Sequence, residues 1–209
     1  MYKTVKPLVD VIGALILFFF VWPIILFCGI CIKLEDPSGP VFFLQKRVGK
    51  EEKIFHIYKL RTMNSNTDRN GTLLSDSERM LHCGKWIRKL SLDELPQIIN
   101  ILKGEMSFIG PRPLLPEYLA FYTEKEIKRH SVKPGISGWA QINGRNSLTW
   151  EERFSLDLDY IDQLSFKLDT KIVLLTIKKV LSGSDVIEDE SEELADFDVY
   201  RMNQMRRSK

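Results

Sequence analysis

Two adjacent carboxylates, Asp93 and Glu94, are the residues best suited to carry chemistry in this chain. Arg88 and Lys89 come just before them, and a basic Gly-Pro-Arg-Pro turn at residues 110–113 follows. Phosphoryl transfer needs a nucleophile or metal ligand, together with positive charge that neutralises the phosphate oxygens. The acid pair and its neighbouring cations therefore indicate chemistry on a phosphate.

The acid pair also has a structural interpretation. Ser91 and Glu94 have the S-x-x-E spacing of a capping box, in which the two side chains satisfy the first amides of a helix. Pro96 disfavours a helix that begins at Leu92, but it suits one that begins near Leu95, with both acids in the approach. Spacing alone supports catalysis and capping about equally.

Two later segments carry groups that suit a phosphate. Arg112 lies between two prolines, so its guanidinium loses little backbone entropy when it binds an anion. Residues 134–145 form a glycine-rich polar stretch that includes Gln141 and ends at Arg145. The backbone amides of such a stretch can approach a phosphate or a nucleotide.

The chain begins with a segment that suits a membrane. Residues 11–32 are 22 residues without a charge, which is long enough to cross a hydrocarbon core of ~30 Å. Pro23 interrupts the helical hydrogen bonds near the middle, and lysines flank both ends, so the positive-inside rule does not orient the segment. A helix that dips into one leaflet and returns and a kinked transmembrane helix are equally supported. We interpret Cys28 and Cys31, within this run, as apolar packing residues rather than a redox or metal pair.

The body of the chain predicts a small domain of helices and one hairpin. Two β-favouring runs, 41–45 and 54–60, flank a charged turn and predict a β-hairpin. Asp157 lies off the apolar face of its helix, and we expect it to be exposed. The last helix could pack on the core or lie at a membrane interface. The apolar spacing predicts helices over residues 76–90, 97–102, 150–161 and 166–181. Thr149 and Glu152 have the spacing of a capping box at the start of the third of these helices.

Composition limits the class of partner. The chain of 209 residues has a formal net charge of +2, but residues 188–198 hold seven acids and no base, so the rest carries +9. A basic body suits anionic lipids and phosphates. It also suits nucleic acid, but we find neither zinc-finger spacing nor a helix-turn-helix pattern and expect no nucleic-acid partner. Residues 186–209, acidic and then basic, predict a poorly ordered tail.

Taken in order, these segments resemble the bacterial sugar transferases, and more narrowly the small monotopic phosphoglycosyl transferases that start glycan assembly on polyprenyl phosphate. A set of matching segments in one order is far more specific than any single motif. The resemblance covers residues 1 to about 182. The matching segments are residues 39–43, 45–49, 58–63, 90–97, 100–106, 110–113 and 129–146.

The resemblance implies an α+β, mainly helical fold. Residues 1–32 would form a re-entrant membrane helix, broken at a proline. Residues 33–185 would form a compact cytosolic catalytic domain with a small β-hairpin and amphipathic interfacial helices. The sequence departs from the family pattern at Pro7, where an arginine is common, and at Trp22, where a serine often precedes the proline. These departures concern the geometry of the membrane helix rather than the chemistry.

The resemblance also implies a UDP-sugar donor, a polyprenyl (undecaprenyl) phosphate acceptor, Mg²⁺ and a two-step ping-pong reaction. Asp93 would attack the sugar-linked phosphate, expel UMP and carry the phospho-sugar until the lipid phosphate displaces it. Glu94 would be the partner carboxylate, and both acids are candidate metal ligands. The residues expected to bind substrate or phosphate are Arg88, Arg112, Gln141 and Arg145, with Lys59 a weaker candidate.

The implied location is the cytosolic face of the bacterial inner membrane, where the protein would be monotopic and in contact with membrane lipids. Neither the sugar nor the oligomeric state, a homo-oligomer included, is encoded in a pattern that we recognise. The alternative function is a non-catalytic scaffold at the membrane surface, in which Asp93 and Glu94 only cap a helix and the basic face binds anionic lipids.

Overall fold

The computed structural model describes residues 2–68, 71–144, 147–182 and 196–207. The chain forms two compact units. The first, here called the carboxylate unit, consists of Val11–Gln45 and His56–Lys103. The second, here called the C-terminal unit, consists of Met1–Asp10, Lys46–Phe55 and Gly104–Lys209.

The N-terminal segment is a long helix, α1 (Tyr2–Glu35), which continues through Pro23 without a break in its assignment. It is long and apolar enough to cross a membrane. Its re-entry at Pro23 stays a prediction. In the carboxylate unit one face of α1 is buried, and Cys28 on that face is fully enclosed, which confirms that it is a packing residue. The buried face consists of Val21, Ile25, Cys28 and Ile32, which pack with Leu60, Leu81 and Ile87.

The predicted hairpin is confirmed. Strands β1 (Phe42–Val48) and β2 (Ile54–Leu60) pair as a two-stranded antiparallel sheet. The first strand ends three residues later than the apolar run because Lys46, Arg47 and Val48 continue the extended backbone. The connecting turn contains two residues with positive φ, Glu51 and Glu52, so the chain reverses tightly.

The single helix predicted over residues 76–90 is wrong. The structure has two helices, α2 (Asp76–Arg79) and α3 (His82–Lys89), separated by an extended residue at Met80. Met80 forms a β-bridge with Met63, and the next amide, of Leu81, donates to the carbonyl of Thr62. These backbone hydrogen bonds to a distant segment replace helical ones. The helical spacing of the apolar residues was therefore identified correctly, but the helical hydrogen bonds are interrupted at Met80.

The C-terminal unit is built on two short parallel strands, β3 (Ser107–Ile109) and β4 (Gly135–Ser137). Their ends approach closely, since a Cβ on Gly135 would lie 2.1 Å from the amide nitrogen of Gly110. The glycines of the polar stretch therefore permit backbone packing at this point. The helices that follow are α5 (Trp139–Asn143), α6 (Trp150–Asp162), α7 (Phe166–Ser182) and α8 (Phe197–Arg207).

Helices α6 and α7 form at the predicted positions. Thr149 forms the expected capping box with Glu152 at the start of α6. Helix α7 buries one face, with Ile172 fully enclosed, and exposes apolar residues such as Leu174 on another. Helix α7 therefore has an inner face that packs on the core and an outer face that suits a membrane interface. Both predicted alternatives remain compatible with the structure.

The polar end of the chain is only partly a tail. Residues 186–195 of the predicted disordered segment lie outside the described residues, but 197–207 form α8. Phe197 at its start is fully buried among Tyr118, Trp150 and Phe154. The prediction of a poorly ordered appendage is wrong for this part, because one aromatic side chain gives a polar segment enough buried surface to dock.

Candidate active site

The adjacent carboxylates lie on a short 3-10 turn, Leu92–Gln97, which joins α3 to helix α4 (Ile98–Leu102). Ser91 precedes the turn in the left-handed region, with φ 54°, and this residue ends the path of α3. The Asp93 and Glu94 side chains are 16% and 20% exposed. The turn therefore holds both carboxylates at the surface of the carboxylate unit, where a substrate can reach them.

The capping interpretation of this pair is wrong. In the part of the chain that the structure describes, the Ser91 side chain makes no capping hydrogen bond. The Glu94 carboxylate instead accepts a hydrogen bond from Lys59 Nζ at 3.0 Å. The amides near the acids belong to a 3-10 turn rather than to the first turn of an α-helix, so the residues lack the backbone geometry of a box.

Lys59 is more central than the sequence suggested. Its Nζ lies 3.0 Å from Glu94 Oε1 and 3.9 Å from Asp93 Oδ2, so one cation faces both carboxylates. Lys59 projects from β2, and the fully buried Asn100 of α4 fastens that strand. The Asn100 side chain donates to the carbonyl of His56 at 2.7 Å and accepts from the amide of Tyr58 at 3.1 Å.

Arg88 is the second cation of the site. It lies in the last turn of α3, and its Nε donates to the Thr62 hydroxyl at 2.9 Å. Burial raises the pKa of Asp93 above its ordinary value. Lys59 and Arg88 act against that shift, and Glu94 adds to it. A partly desolvated carboxylate that depends on specific cations is typical of functional sites.

The two carboxylates are of the chemical type that binds Mg²⁺. The described residues contain no group of three His, Cys, Asp or Glu side chains that could hold a metal. Mg²⁺ is usually bound through one or two carboxylates with substrate phosphates and waters as further ligands. Asp93 and Glu94 therefore suit an ion that binds together with a nucleotide, rather than one held by protein alone.

Arg112 lies in the C-terminal unit, exposed between two buried prolines, as expected. Its backbone carbonyl accepts a hydrogen bond from Arg129 Nη2 at 2.8 Å. Arg129 is itself held by Asp157, whose Oδ2 accepts from Nε at 3.0 Å and from Nη2 at 2.7 Å. The expectation that Asp157 is exposed is therefore wrong, because this ion pair draws the carboxylate into the interior.

The recess beside Arg112 is lined in part by Arg129 and by His130, which is almost fully buried. Neither ring nitrogen of His130 has a hydrogen-bond partner among the described residues. Burial, and then the charge of Arg129, lower the pKa of His130 to about 4. The imidazole is therefore neutral at physiological pH, and Arg112 supplies the exposed charge of this surface.

The two remaining residues expected to contact a phosphate are Gln141 and Arg145. Gln141 lies in α5 and donates from Nε2 to the carbonyl of Ile136 at 3.0 Å, which is a local structural bond. Arg145 lies outside the described residues. The structure thus brings Asp93, Glu94, Lys59 and Arg88 together in the carboxylate unit, and it places Arg112 and Gln141 in the C-terminal unit.

Comparison with known proteins gives consistent matches. The family model described as bacterial sugar transferase matches residues 1–183. The uncharacterized sugar transferase EpsL of Bacillus subtilis (strain 168) is 52% identical over 181 residues, which cover 87% of this chain and 89% of that protein.

Two further relatives have names that state a reaction. The UDP-N-acetylgalactosamine-undecaprenyl-phosphate N-acetylgalactosaminephosphotransferase of Aeromonas hydrophila is 42% identical, over 87% of this chain and 45% of that protein. The UDP-glucose:undecaprenyl-phosphate glucose-1-phosphate transferase of Xanthomonas campestris pv. campestris is 41% identical, over 86% of this chain and 39% of that protein. The chain thus spans less than half the length of these two relatives.

Proposed function

The chain belongs to the bacterial sugar transferase family, and from this premise we propose that it transfers a sugar 1-phosphate from a UDP-sugar to undecaprenyl phosphate. The observation that carries the proposal is the adjacent pair Asp93 and Glu94, held on one turn and faced by Lys59. The names of the Aeromonas and Xanthomonas relatives support the same donor and acceptor classes.

The proposed reaction has two displacements at one phosphorus atom. In the first, a carboxylate oxygen of Asp93 attacks the phosphorus that bears the sugar, the bond to the bridging oxygen breaks, and UMP leaves. In the second, an oxygen of undecaprenyl phosphate attacks the same phosphorus, and the aspartyl oxygen leaves. A covalent intermediate divides one difficult transfer into two easier steps. The products are UMP and a sugar linked to the lipid through a diphosphate.

The neighbouring groups have distinct roles in this proposal. Lys59 and Arg88 favour the ionised form of Asp93, and both can neutralise charge that develops on the phosphoryl oxygens. Glu94 orients Lys59 through its 3.0 Å bond. Mg²⁺, when bound, would supply further positive charge at the diphosphate. Arg112 is proposed to contact a phosphate, because its backbone is held by prolines and by Arg129.

The proposed setting is the cytosolic face of the bacterial inner membrane. The acceptor is a lipid, so the site must meet it at the bilayer surface, and α1 provides an apolar segment long enough to enter the bilayer. We propose that the protein is monotopic, with membrane lipids as its partners. A non-catalytic scaffold has less support, since the capping role that it gives to the acid pair is wrong.

The direct test is release of UMP from UDP-sugars by purified protein with undecaprenyl phosphate. Asp93→Asn should lower turnover by roughly 10³-fold or more, because the nucleophile is lost. With donor and no acceptor, intact-protein mass spectrometry should show a phospho-sugar adduct that Asp93→Asn lacks. Asp76→Asn, which changes an exposed acid of the same unit, is the matched control and should keep full activity.

Three results would each contradict a part of the proposal. An adduct mapped to Glu94 would move the nucleophile to the other carboxylate. Robust transfer by Asp93→Asn would show that Asp93 is not the nucleophile. Failure of the unchanged protein to release UMP from any UDP-sugar would favour the scaffold.

A further inference from the structure

Thr62 is a buried residue that contacts both ends of helix α3. Its hydroxyl accepts a hydrogen bond from Arg88 Nε, in the last turn, at 2.9 Å. Its carbonyl accepts one from the amide of Leu81, just before the first turn, at 3.0 Å. The helix also lies very close to it, since a Cβ on Gly84 would be 2.2 Å from the Thr62 carbonyl oxygen.

Thr62 is itself held in a fixed place by the residue before it. The Arg61 side chain is buried, forms an ion pair with Asp36 and donates to the carbonyl of Pro40 at 2.6 Å. The Arg61 amide donates to the carbonyl of Val41 at 2.8 Å. The backbone that carries the Thr62 hydroxyl therefore has little freedom to move relative to the hairpin.

The same stretch of chain thus serves both cations of the acid pair. Lys59, in β2, faces Asp93 and Glu94 directly. Thr62, three residues later, reaches Arg88, whose charge acts on Asp93. A rigid segment that places one cation and anchors a second is a means of fixing their spacing around a nucleophile.

The hydroxyl of Thr62 matters because Arg88 is otherwise a long side chain at an exposed helix end. A guanidinium is planar and has five N–H donors, so a bond from Nε fixes the plane while four donors remain on the two Nη groups. Lysine cannot reproduce this arrangement because its ammonium has no plane to fix.

We infer that Thr62 is a positioning residue for the phosphoryl transfer: its hydroxyl orients the Arg88 guanidinium so that the Nη groups meet the phosphate that Asp93 attacks. This inference rests on the proposed function. Thr62 does not contact the substrate in this proposal, and its hydroxyl acts only by orienting Arg88.

The test replaces Thr62 with one residue that lacks the hydroxyl and one that retains it. Thr62→Val removes the acceptor at nearly constant volume and should lower kcat/KM for the UDP-sugar about tenfold, as expected for loss of one hydrogen bond to a charged group. Thr62→Ser restores the acceptor and should stay within about twofold of the unchanged protein. Thr67→Val, at an exposed threonine of the same unit, is the matched control and should have no effect.

A double-mutant cycle separates positioning from a general loss of structure. In an Arg88→Lys background, Thr62→Val should cause no further loss, because the bond it removes is already absent. Thermal melting should show that Thr62→Val is folded, and Thr62→Ala repeats the measurement without the hydroxyl if it is not. Full activity in both hydroxyl-free variants, or an equal loss in the Arg88→Lys background, would overturn the inference.

The proposed function and the role of Thr62 can be disproved separately. If the unchanged protein releases no UMP, the proposed function is wrong and the role of Thr62 falls with it. If the unchanged protein is active and Thr62→Val is equally active, only the role of Thr62 is wrong.

Discussion

The ion pair between Arg129 and Asp157 has almost no contact with solvent, with side chains 2% and 3% exposed. Two hydrogen bonds to one carboxylate oxygen satisfy the guanidinium on that side, and the Arg112 carbonyl takes a further bond. Buried charges in such an arrangement are tolerated only together, since either one alone would be uncompensated in a medium of low dielectric.

We therefore predict that Asp157→Ala destabilises the protein by about 3–5 kcal/mol, because it leaves the Arg129 charge buried without a partner. The control is Asp159→Ala, two residues further along α6 at an exposed position, where the change should be within about 0.5 kcal/mol. Urea denaturation of the purified protein measures both. Equal effects at the two positions would show that the pair contributes nothing specific.

Functional residues that are adjacent in the sequence could be predicted from it. Residues whose role depends on partners far along the chain could not. Asp93 and Glu94 attract notice because they are neighbours and lie close to cations. Asn100 bonds to residues more than 40 positions away, and Asp157 to one 28 positions away. The one available signal for Asn100 was its polar side chain within the apolar run of α4.

At the scale of elements, local patterns were sufficient wherever local bonds decide the structure. The hairpin and the capped start of α6 depend on turn residues, β-favouring side chains and a box of four residues, and all were predicted. The break between α2 and α3 depends on a bridge between Met63 and Met80. No local pattern contains that bridge, so the apolar spacing was interpreted as one helix.

Helix α8 lies beyond the segment that the family model matches. Besides Phe197 in the aromatic cluster, several polar contacts hold it: for example, Arg201 pairs with Glu126 at 2.6 Å, and the Tyr200 hydroxyl donates to Glu151 at 2.7 Å. We expect a large contribution from the fully buried Phe197 ring, since burial of a Phe side chain stabilises by about 1.5–3 kcal/mol.

We predict that Phe197→Ala releases α8. The loss of a buried phenyl ring costs about 3–5 kcal/mol as an upper limit, since a terminal helix can detach without global unfolding. Trypsin should then cleave after Arg201 and Arg206 faster than in the unchanged protein. Val199→Ala, at an exposed position of the same helix, is the control. Unchanged cleavage in Phe197→Ala would mean that the cluster does not hold the helix.

At the scale of the whole molecule, the described surface exposes far more apolar area on helices than a soluble body needs. On α1 the most exposed large side chains include Leu8, Phe19 and Phe20, and on α7 they include Phe166 and Leu174. Apolar side chains concentrated on such helices mark surfaces that contact a membrane or a partner. Under the proposed transfer to undecaprenyl phosphate, which is a lipid, we expect the membrane to be the occupant of these surfaces.

The start of α1 is fastened to α7 within the C-terminal unit. Lys6 Nζ lies 2.6 Å from Asp169 Oδ2 and 3.6 Å from Asp10 Oδ1, and all three side chains are buried. The hydroxyls of Tyr2 and Tyr160 also donate to the Asp169 carboxylate. A helix that crossed the bilayer would carry Tyr2 and Lys6 to the side opposite α7, and it would forfeit every one of these bonds.

We therefore predict that the N-terminus lies on the same side of the membrane as α7 and the rest of the C-terminal unit. The test is a cysteine at Lys3, an exposed position beside this network, in a chain whose native cysteines have been replaced. An impermeant thiol reagent should not label it in whole cells but should label it after lysis. A cysteine in place of Lys128, which is exposed in the C-terminal unit, is the control and should behave alike. Labelling at position 3 in whole cells, with position 128 protected, would show that α1 carries the N-terminus across the membrane.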